Sequence, residues 1–327
     1  MRLIHLVLLL LGLLLCPLAS KAVVCSMSGV QNISFGNVNP LSSADTNTSM
    51  TFNYSCTKEL GDLLAGVTIC FNIGASANSG QVIPRRMAYA GPPAGTLDYQ
   101  LYSNASYTTV WGSQYQSGTT VPAIQLNLLN LTPVTGSLTV YAKVPARQTS
   151  VVPGSYQDTY TAATASMTIN IGLAAPPANC GTTQGATFPF TVSATVTKFC
   201  NVTTASNINF GNAAFTDTNL SASNSIGVAC TSNTPYTIGL VPSNNSTTGS
   251  GVMKTNTGNA SNSDQVPYQL RSTAGTSGTP WGNTTGSNTV AGTGNGQTIT
   301  YNAYATVPSA NYTPDTYADT VTINVTY

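Results

Sequence analysis

The sequence predicts an all-β protein built from two immunoglobulin-like antiparallel β-sandwiches. Apolar residues occupy every second position in short segments such as 167–171 and 321–327, with Thr and Asn between them. Gly, Asn and Pro separate such segments, and nothing after residue 22 resembles a capped amphipathic helix. An internal repeat then places the two sandwiches at 23–172 and 188–327, joined by a linker at 173–187.

The two halves of the chain carry the same short motifs in the same order. NISFGN follows Cys25, and NINFGN follows Cys200. Because the order and spacing hold along both copies, the pattern indicates a tandem duplication rather than shared composition. The remaining matches are YQL to WG at 99–112 and 268–282, VYAKVPA at 140–146 with AYATVPS at 303–309, and YQDTY at 156–160 with YADTV at 317–321.

Six cysteines follow residue 22, and an even number in an exported chain predicts disulfides. The repeat makes Cys25–Cys56 and Cys200–Cys230 equivalent pairs, which leaves Cys70–Cys180 as the third. Sequence alone permits fifteen pairings of six cysteines, so the repeat is what selects this one. No C-x-x-C pair is present to suggest zinc or redox chemistry.

Residues 1–22 are predicted to be a signal peptide. Arg2 precedes an apolar run at 6–15, and Ser20 and Ala22 place small residues where a signal peptidase reads. Charged residues make up only 6% of the chain, far below the roughly 25% of ordinary globular proteins. No basic patch exists for nucleic acid. Copies with so few charges repel one another weakly, which favours an exported subunit of an assembly.

The sequence offers little for catalysis, so we expect a protein that is not an enzyme and takes no cofactor or metal. The single histidine, His5, lies in the predicted signal peptide, which rules out Ser–His and Cys–His nucleophiles. Asp158 and Asp319 occupy equivalent repeat positions, where strand-edge hydrogen bonding is the expected role. Trp111 and Trp281 also match, which favours a shared structural role over a sugar-stacking platform.

These motifs resemble the spore coat protein U domain found in subunits of archaic chaperone–usher pili. The resemblance implies an N-terminal adhesin-type domain followed by an incomplete, pilin-type domain. A periplasmic chaperone would supply the missing strand first. At the outer-membrane usher, the N-terminal segment of an adjacent pilin would replace it. The expected interface for the chaperone and the donor strand consists of Val321, Ile323, Val325 and Tyr327.

The segments ahead of each first cysteine suggest a place in such a fibre. Only Val23 and Val24 separate the predicted cleavage site from Cys25, and a strand takes about 5–6 residues. We therefore expect the chain to accept a neighbour without donating to one, as a tip adhesin at the cell surface does. TFPFTVSATVTKF at 187–199 is expected to be the first strand of the second domain.

The first repeat carries apolar residues in Gly- and Pro-flanked loops where the second is polar or shorter. Such residues mark contact sites when exposed. The resemblance to pilus tip subunits implies that they bind abiotic or host surfaces and promote biofilm formation. Alternatively, these loops fold back and cap the sandwich. AIQLNLLNL at 123–131 is instead expected to be a buried strand that completes the first domain. The surface-binding candidates are Leu60, Leu63, Leu64, Val82, Ile83, Met87, Val151 and Val152.

Two other functions stay open from the sequence. One is a structural coat or matrix protein without a specific ligand. The other is a lectin-type tip that binds a glycan through Tyr89, Tyr99, Tyr107 or Tyr115 around a polar pocket.

Overall fold

The computed structural model describes residues 23–129, 131–258 and 260–327, so the predicted signal peptide lies outside the described residues. Within these ranges the chain forms 21 β-strands and one short 3₁₀ turn at Leu60–Asp62, which confirms the predicted all-β class. Across the same ranges, no helix has the length and apolar character needed to cross a membrane.

The first domain consists of two sheets that enclose one core. The larger sheet has the order β1-β3-β8-β6-β5-β9-β12-β2, and the smaller has the order β11-β10-β4-β7. The strands are β1 Val23–Ser28, β2 Ile33–Val38, β3 Thr46–Lys58, β4 Ala65–Ile73, β5 Arg85–Tyr89, β6 Gly95–Tyr102, β7 Ala123–Leu126, β8 Val134–Val144, β9 Gly154–Tyr160, β10 Ala165–Leu173, β11 Thr183–Thr187 and β12 Phe190–Val196.

The second domain repeats this arrangement with fewer strands. Its larger sheet has the order β13-β14-β19-β17-β16-β20, and its smaller sheet has the order β18-β15-β21. The strands are β13 Cys200–Ala205, β14 Thr218–Cys230, β15 Pro235–Pro242, β16 Ser250–Thr255, β17 Gln265–Arg271, β18 Val290–Thr293, β19 Thr298–Ser309, β20 Tyr317–Ala318 and β21 Val321–Thr326.

Each core is organised around its tryptophan. The Trp111 indole N–H donates to the carbonyl of Phe71 at 2.8 Å, and Trp281 donates to the carbonyl of Ile238 at 2.8 Å. Both rings are buried, which confirms a shared structural role and excludes them as a sugar platform. The predicted disulfides Cys25–Cys56, Cys70–Cys180 and Cys200–Cys230 are all present.

The segment before Cys200 belongs to the first domain, which corrects its predicted place in the second. β12 pairs antiparallel with β9 and parallel with β2, and β11 pairs antiparallel with β10. The chain turns back after Leu173 and runs along β10 and β9, filling one strand place in each sheet. The apolar side of this segment enters the first core, because the alternate residues Phe188, Phe190, Val192, Ala194 and Val196 are each no more than 4% exposed.

AIQLNLLNL does not complete the first domain, so that prediction is wrong. Among the described residues of this segment, only Ala123–Leu126 forms a strand, β7, at the edge of the smaller sheet beside β4. Leu126 is buried, but the chain then leaves the sheet and Leu129 turns outward with a backbone φ of 59°. The β11–β12 segment takes the completing role instead.

Candidate functional site

The second domain has a free strand edge in each of its sheets. β20 pairs only with β16, and β21 pairs only with β15, among the described residues. In the first domain the equivalent strands β9 and β10 are covered by β12 and β11. The second domain therefore lacks, in the described part of the chain, the two strand segments that close the first.

The segment on the opposite side of this opening also lacks a strand partner. NISFGN of the first repeat forms β2, whose pairing partner is β12. The equivalent NINFGN at 207–212 forms no strand, and its Ile208 and Phe210 pack only partly buried against the second core. Since β2 gains its hydrogen bonds from the inserted strand, the second copy is unpaired because that strand is missing.

Three residues of the predicted interface for the chaperone and the donor strand lie on β21 beside this opening, which we call the acceptor groove. The groove is bounded by Ile208 and Phe210 on one side and by β20 and β21 on the other. Val321, Ile323 and Val325 pack partly buried against the second core, and Tyr327 is exposed. An unpaired edge with an apolar inner face is a template for strand addition.

A tyrosine–aspartate pair recurs beside the inserted strand and beside the groove. The Tyr99 hydroxyl donates to Asp158 at 2.6 Å, and the Tyr268 hydroxyl donates to Asp319 at 2.6 Å. Asp158 is buried and also accepts from the Asn78 amide at 3.1 Å, which replaces its predicted strand-edge role with a core network. Burial, followed by the hydrogen bond to Asp319, raises the pKa of Tyr268 well above its usual range.

Tyr160 extends the network in the first domain, because its hydroxyl lies 2.8 Å from that of Tyr99. Burial raises the pKa of Tyr160 to about 12, while the charge of Arg85 acts in the opposite direction. A tyrosine whose folded pKa is raised contributes stability below the unfolded value of about 10 and loses it as the pH rises towards 12.

The first domain should therefore lose stability between pH 10 and pH 12, by about 2 kcal/mol from Tyr160 alone at pH 12. Urea unfolding followed by Trp111 fluorescence in a Trp281→Phe background at several pH values measures this loss. The Tyr160→Phe variant removes one titrating group, so its stability should fall less steeply. An equal slope in both proteins would show that Tyr160 does not titrate with unfolding.

A cluster of exposed leucines lies at the end of the first domain away from the second, and we call it the distal apolar cluster. Leu60, Leu64, Leu129 and Leu173 are 79%, 70%, 68% and 95% exposed. They come together because Leu173 ends β10 opposite Ala65 at the start of β4, and the Leu129 amide donates to the Leu63 carbonyl at 2.8 Å.

The buried ammonium of Lys58 ties the two loops of this cluster together. It donates to the carbonyl of Ala65 at 2.9 Å and to the carbonyl of Asn127 at 2.6 Å. The loops that carry the leucines are therefore held together by hydrogen bonds to one buried side chain. An exposed apolar cluster of this kind is unusual on a protein surface.

The eight predicted surface-binding residues differ in how far their side chains are exposed. Leu60, Leu64 and Ile83 are exposed, while Leu63 and Val152 are half-buried. Val82, Met87 and Val151 are buried, so their assignment as surface-binding residues is wrong. Met87 alternates inward on β5, and Val82 and Val151 pack inward from loops whose Gly and Pro punctuation suggested exposure. Sequence reasoning missed Leu129 and Leu173, which it placed in a buried strand and at the linker.

Two of the candidates also lie far from the distal apolar cluster. Val151 and Val152 precede β9 at the end facing the second domain, where neighbouring Thr149 accepts a hydrogen bond from Gln297 at 3.0 Å.

The four tyrosines of the lectin hypothesis do not converge on a pocket. Tyr99 is buried, Tyr89 packs against Tyr156 with ring centroids 5.6 Å apart, and Tyr115 is exposed. Tyr107 contacts Tyr102 and Tyr141.

Comparisons with known proteins agree with the repeat. The spore coat protein U domain profile matches residues 15–163 and 186–324. No curated protein matches this sequence. Solved structures with similar folds include the CsuC–CsuE chaperone–tip adhesion subunit complex of Acinetobacter baumannii, with 19% identity, 93% of this chain and 100% of that chain covered, and a TM-score of 0.48.

Two further similar structures are adhesins. The CupB6 tip adhesin of Pseudomonas aeruginosa has 11% identity, with 93% of this chain and 94% of that chain covered and a TM-score of 0.36. CfaE, the adhesive subunit of CFA/I fimbria of enterotoxigenic Escherichia coli, has 9% identity, with 91% and 92% covered and a TM-score of 0.33. Since the profile covers most of both repeats, this chain belongs to the spore coat protein U domain family.

Proposed function

We propose that this protein is the tip subunit of a chaperone–usher pilus, exported through the periplasm to the cell surface. There it attaches cells to abiotic or host surfaces and promotes biofilm formation. The observation that carries the proposal is the contrast between two copies of one fold. The first copy is closed by β11–β12 and presents the distal apolar cluster, and the second copy has an open acceptor groove.

The acceptor groove would be filled in two stages. A periplasmic chaperone first covers the free edges of β20 and β21, and at the outer-membrane usher an adjacent pilin replaces it with its own N-terminal strand. The β11–β12 segment supplies a template for that strand, because its alternate apolar residues fill the equivalent place in the first domain. Burying a large apolar side chain contributes roughly 1.5–3 kcal/mol, so several together give a stable insertion.

A peptide with the sequence of residues 187–197, TFPFTVSATVT, should bind the acceptor groove of the full chain. Binding should order NINFGN at 207–212, since that segment gains the partner that β12 gives to β2. Hydrogen exchange is the measurement, and new amide protection is expected at 207–212 and along β20 and β21.

The matched control is the same peptide with aspartate at the Val192 position, which should give no protection. Peptide binding without any change at 207–212 would contradict the acceptor groove. Failure of every apolar strand peptide to bind would favour a coat or matrix protein that assembles by other contacts.

The distal apolar cluster would make the surface contact by burying its leucines. Its leucines lie on neighbouring loops that the hydrogen bonds of Lys58 hold together. Several of these exposed side chains can therefore contact a surface at the same time. Each fully buried leucine contributes roughly 1.5–3 kcal/mol, and every 1.4 kcal/mol is tenfold in affinity. Many tips on one cell then add avidity.

Replacing Leu60, Leu64 and Leu129 with serine should lower cell adhesion to polystyrene at least tenfold and leave pili assembled. Stability should change little, because these side chains are mostly exposed. Counting adherent cells and surface pili gives both readouts. Ile83→Ser is the matched control, since Ile83 is also exposed but lies outside the cluster, and it should adhere normally. Unchanged adhesion by a stably folded triple variant would move the binding site, with exposed Tyr115 the next residue to test.

A further inference from the structure

The Cys70–Cys180 disulfide joins the two parts of the first domain that would be pulled apart during adhesion. Cys70 lies on β4, six residues after Leu64 of the distal apolar cluster, and Cys180 lies three residues before β11. β11–β12 then leads into the second domain at Cys200. The two cysteines are 110 residues apart in sequence.

We propose that this disulfide is a mechanical clamp that carries tension from the loop bearing Leu60 and Leu64 to the pilus and bypasses most of the first domain. The surface end of this load path rests on the proposed function, while the covalent path itself does not. A pull between Leu64 and the second domain runs along β4 to Cys70, crosses to Cys180 and continues along β11–β12. Strands β5 to β10 are then outside the loaded chain.

The segment beside Cys180 is fastened to the sheet by several contacts. The Thr68 hydroxyl donates to the Pro177 carbonyl at 2.5 Å, and the Gln114 amide donates to the Gly181 carbonyl at 2.6 Å. Gly66 allows the closest approach, because a Cβ there would lie 2.1 Å from the carbonyl carbon of Ala175. The crossing point of the load path is therefore held in place on β4.

The strand that leaves the clamp is arranged to resist a pull along its own axis. β12 pairs with β9 over its whole length from Phe190 to Val196, and its other edge pairs with β2. Its ladder hydrogen bonds run across the strand, so an axial force loads them together rather than one after another.

The fold itself does not require this third bridge. Thr237 stands at the position of Cys70 in the second repeat, since Phe71 and Ile238 are the equivalent acceptors of the two tryptophans. The second domain has only the bridge that corresponds to Cys25–Cys56. The clamp is thus confined to the domain that carries the distal apolar cluster.

Single-molecule pulling on the full chain tests this, with clickable unnatural residues at exposed Gly61 and Lys198 as handles. Those positions are 137 residues apart in the sequence, and removing the 110 residues enclosed by the bridge leaves 27 in the loaded chain. At about 3.5 Å per residue, the wild type should extend to about 95 Å and the Cys70→Ser/Cys180→Ser variant to about 480 Å.

The Cys25→Ser/Cys56→Ser variant is the matched control, since that bridge lies outside the loaded chain and its extension should equal the wild type. A wild-type extension near 480 Å would overturn the proposal, and this measurement does not depend on any variant folding.

A second experiment measures adhesion under flow. Beads bearing tips without the Cys70–Cys180 bridge should detach from polystyrene sooner than wild-type beads, although both bind equally in still buffer. Equal detachment would also overturn the clamp. No binding of either in still buffer would refute the proposed surface contact and leave the pulling result to decide on the clamp.

Discussion

Replacing Val192 with aspartate is expected to unfold the first domain while the second stays folded. Val192 lies on β12, is fully buried, and pairs with Asp158 of β9 and Ile33 of β2. The new carboxylate would lose its hydration beside the already buried Asp158. Burying an ion in this way costs several kcal/mol, and the lost apolar contact adds roughly 1.5–3 kcal/mol. The sum approaches the whole stability of a typical domain, about 5–15 kcal/mol.

The measurement is urea unfolding followed by Trp111 fluorescence in a Trp281→Phe background, so that only the first domain reports. Thr195→Asp is the matched control, because Thr195 lies on the same strand with its side chain exposed. It should change stability by no more than about 0.5 kcal/mol. The opposite outcome, loss of the second domain with an intact first domain, would return this segment to the domain that its sequence position suggests.

The placement of β12 shows where sequence reasoning stops. The repeat is sufficient to pair Cys25–Cys56 and Cys200–Cys230 and to equate Trp111 with Trp281, because those positions recur at matching distances. Cys70–Cys180 then follows as the remaining pair. Pairing between Ile33 and Val192 has no such signal, since it joins segments far apart in the chain. NISFGN forms the strand β2 because β12 pairs with it, whereas the equivalent NINFGN forms no strand. Counting the strands needed to close each domain could therefore have indicated an extra strand in the first.

Only part of the distal apolar cluster could be predicted from the sequence. Leu60 and Leu64 stand in an insertion that the second repeat lacks, so comparing the copies was enough to single them out. Leu129 lies within AIQLNLLNL, an apolar run that is typical of a buried strand, and its exposure depends on where β7 ends. Met87 was misplaced because its strand, β5, begins directly after a proline-containing loop and includes two arginines.

One of those arginines, Arg85, is the least expected member of the first core. Its side chain is fully buried, and its guanidinium donates to Gln100 at 2.5 Å and to the carbonyls of Ile73, Gly74 and Trp111 at 3.0, 3.1 and 2.8 Å. It thereby joins the end of β4 to the Trp111 loop. The second repeat has Gly251 at this position, opposite Tyr268, so comparison of the copies gave no hint of a buried cation.

Arg85→Met should destabilise the first domain by at least about 4 kcal/mol, because it leaves several buried acceptors without a donor at about 1–3 kcal/mol each. Arg86→Met is the matched control on the same strand. Arg86 forms an exposed ion pair with Asp98 at 2.8 Å, and such surface pairs contribute about 0.2–1 kcal/mol. Arg85→Lys keeps the charge but cannot reach all the acceptors, so its stability should fall between the two. Urea unfolding with Trp111 fluorescence in the Trp281→Phe background measures all three variants. Equal losses from Arg85→Met and Arg86→Met would show that the guanidinium does not hold the end of β4 to the Trp111 loop.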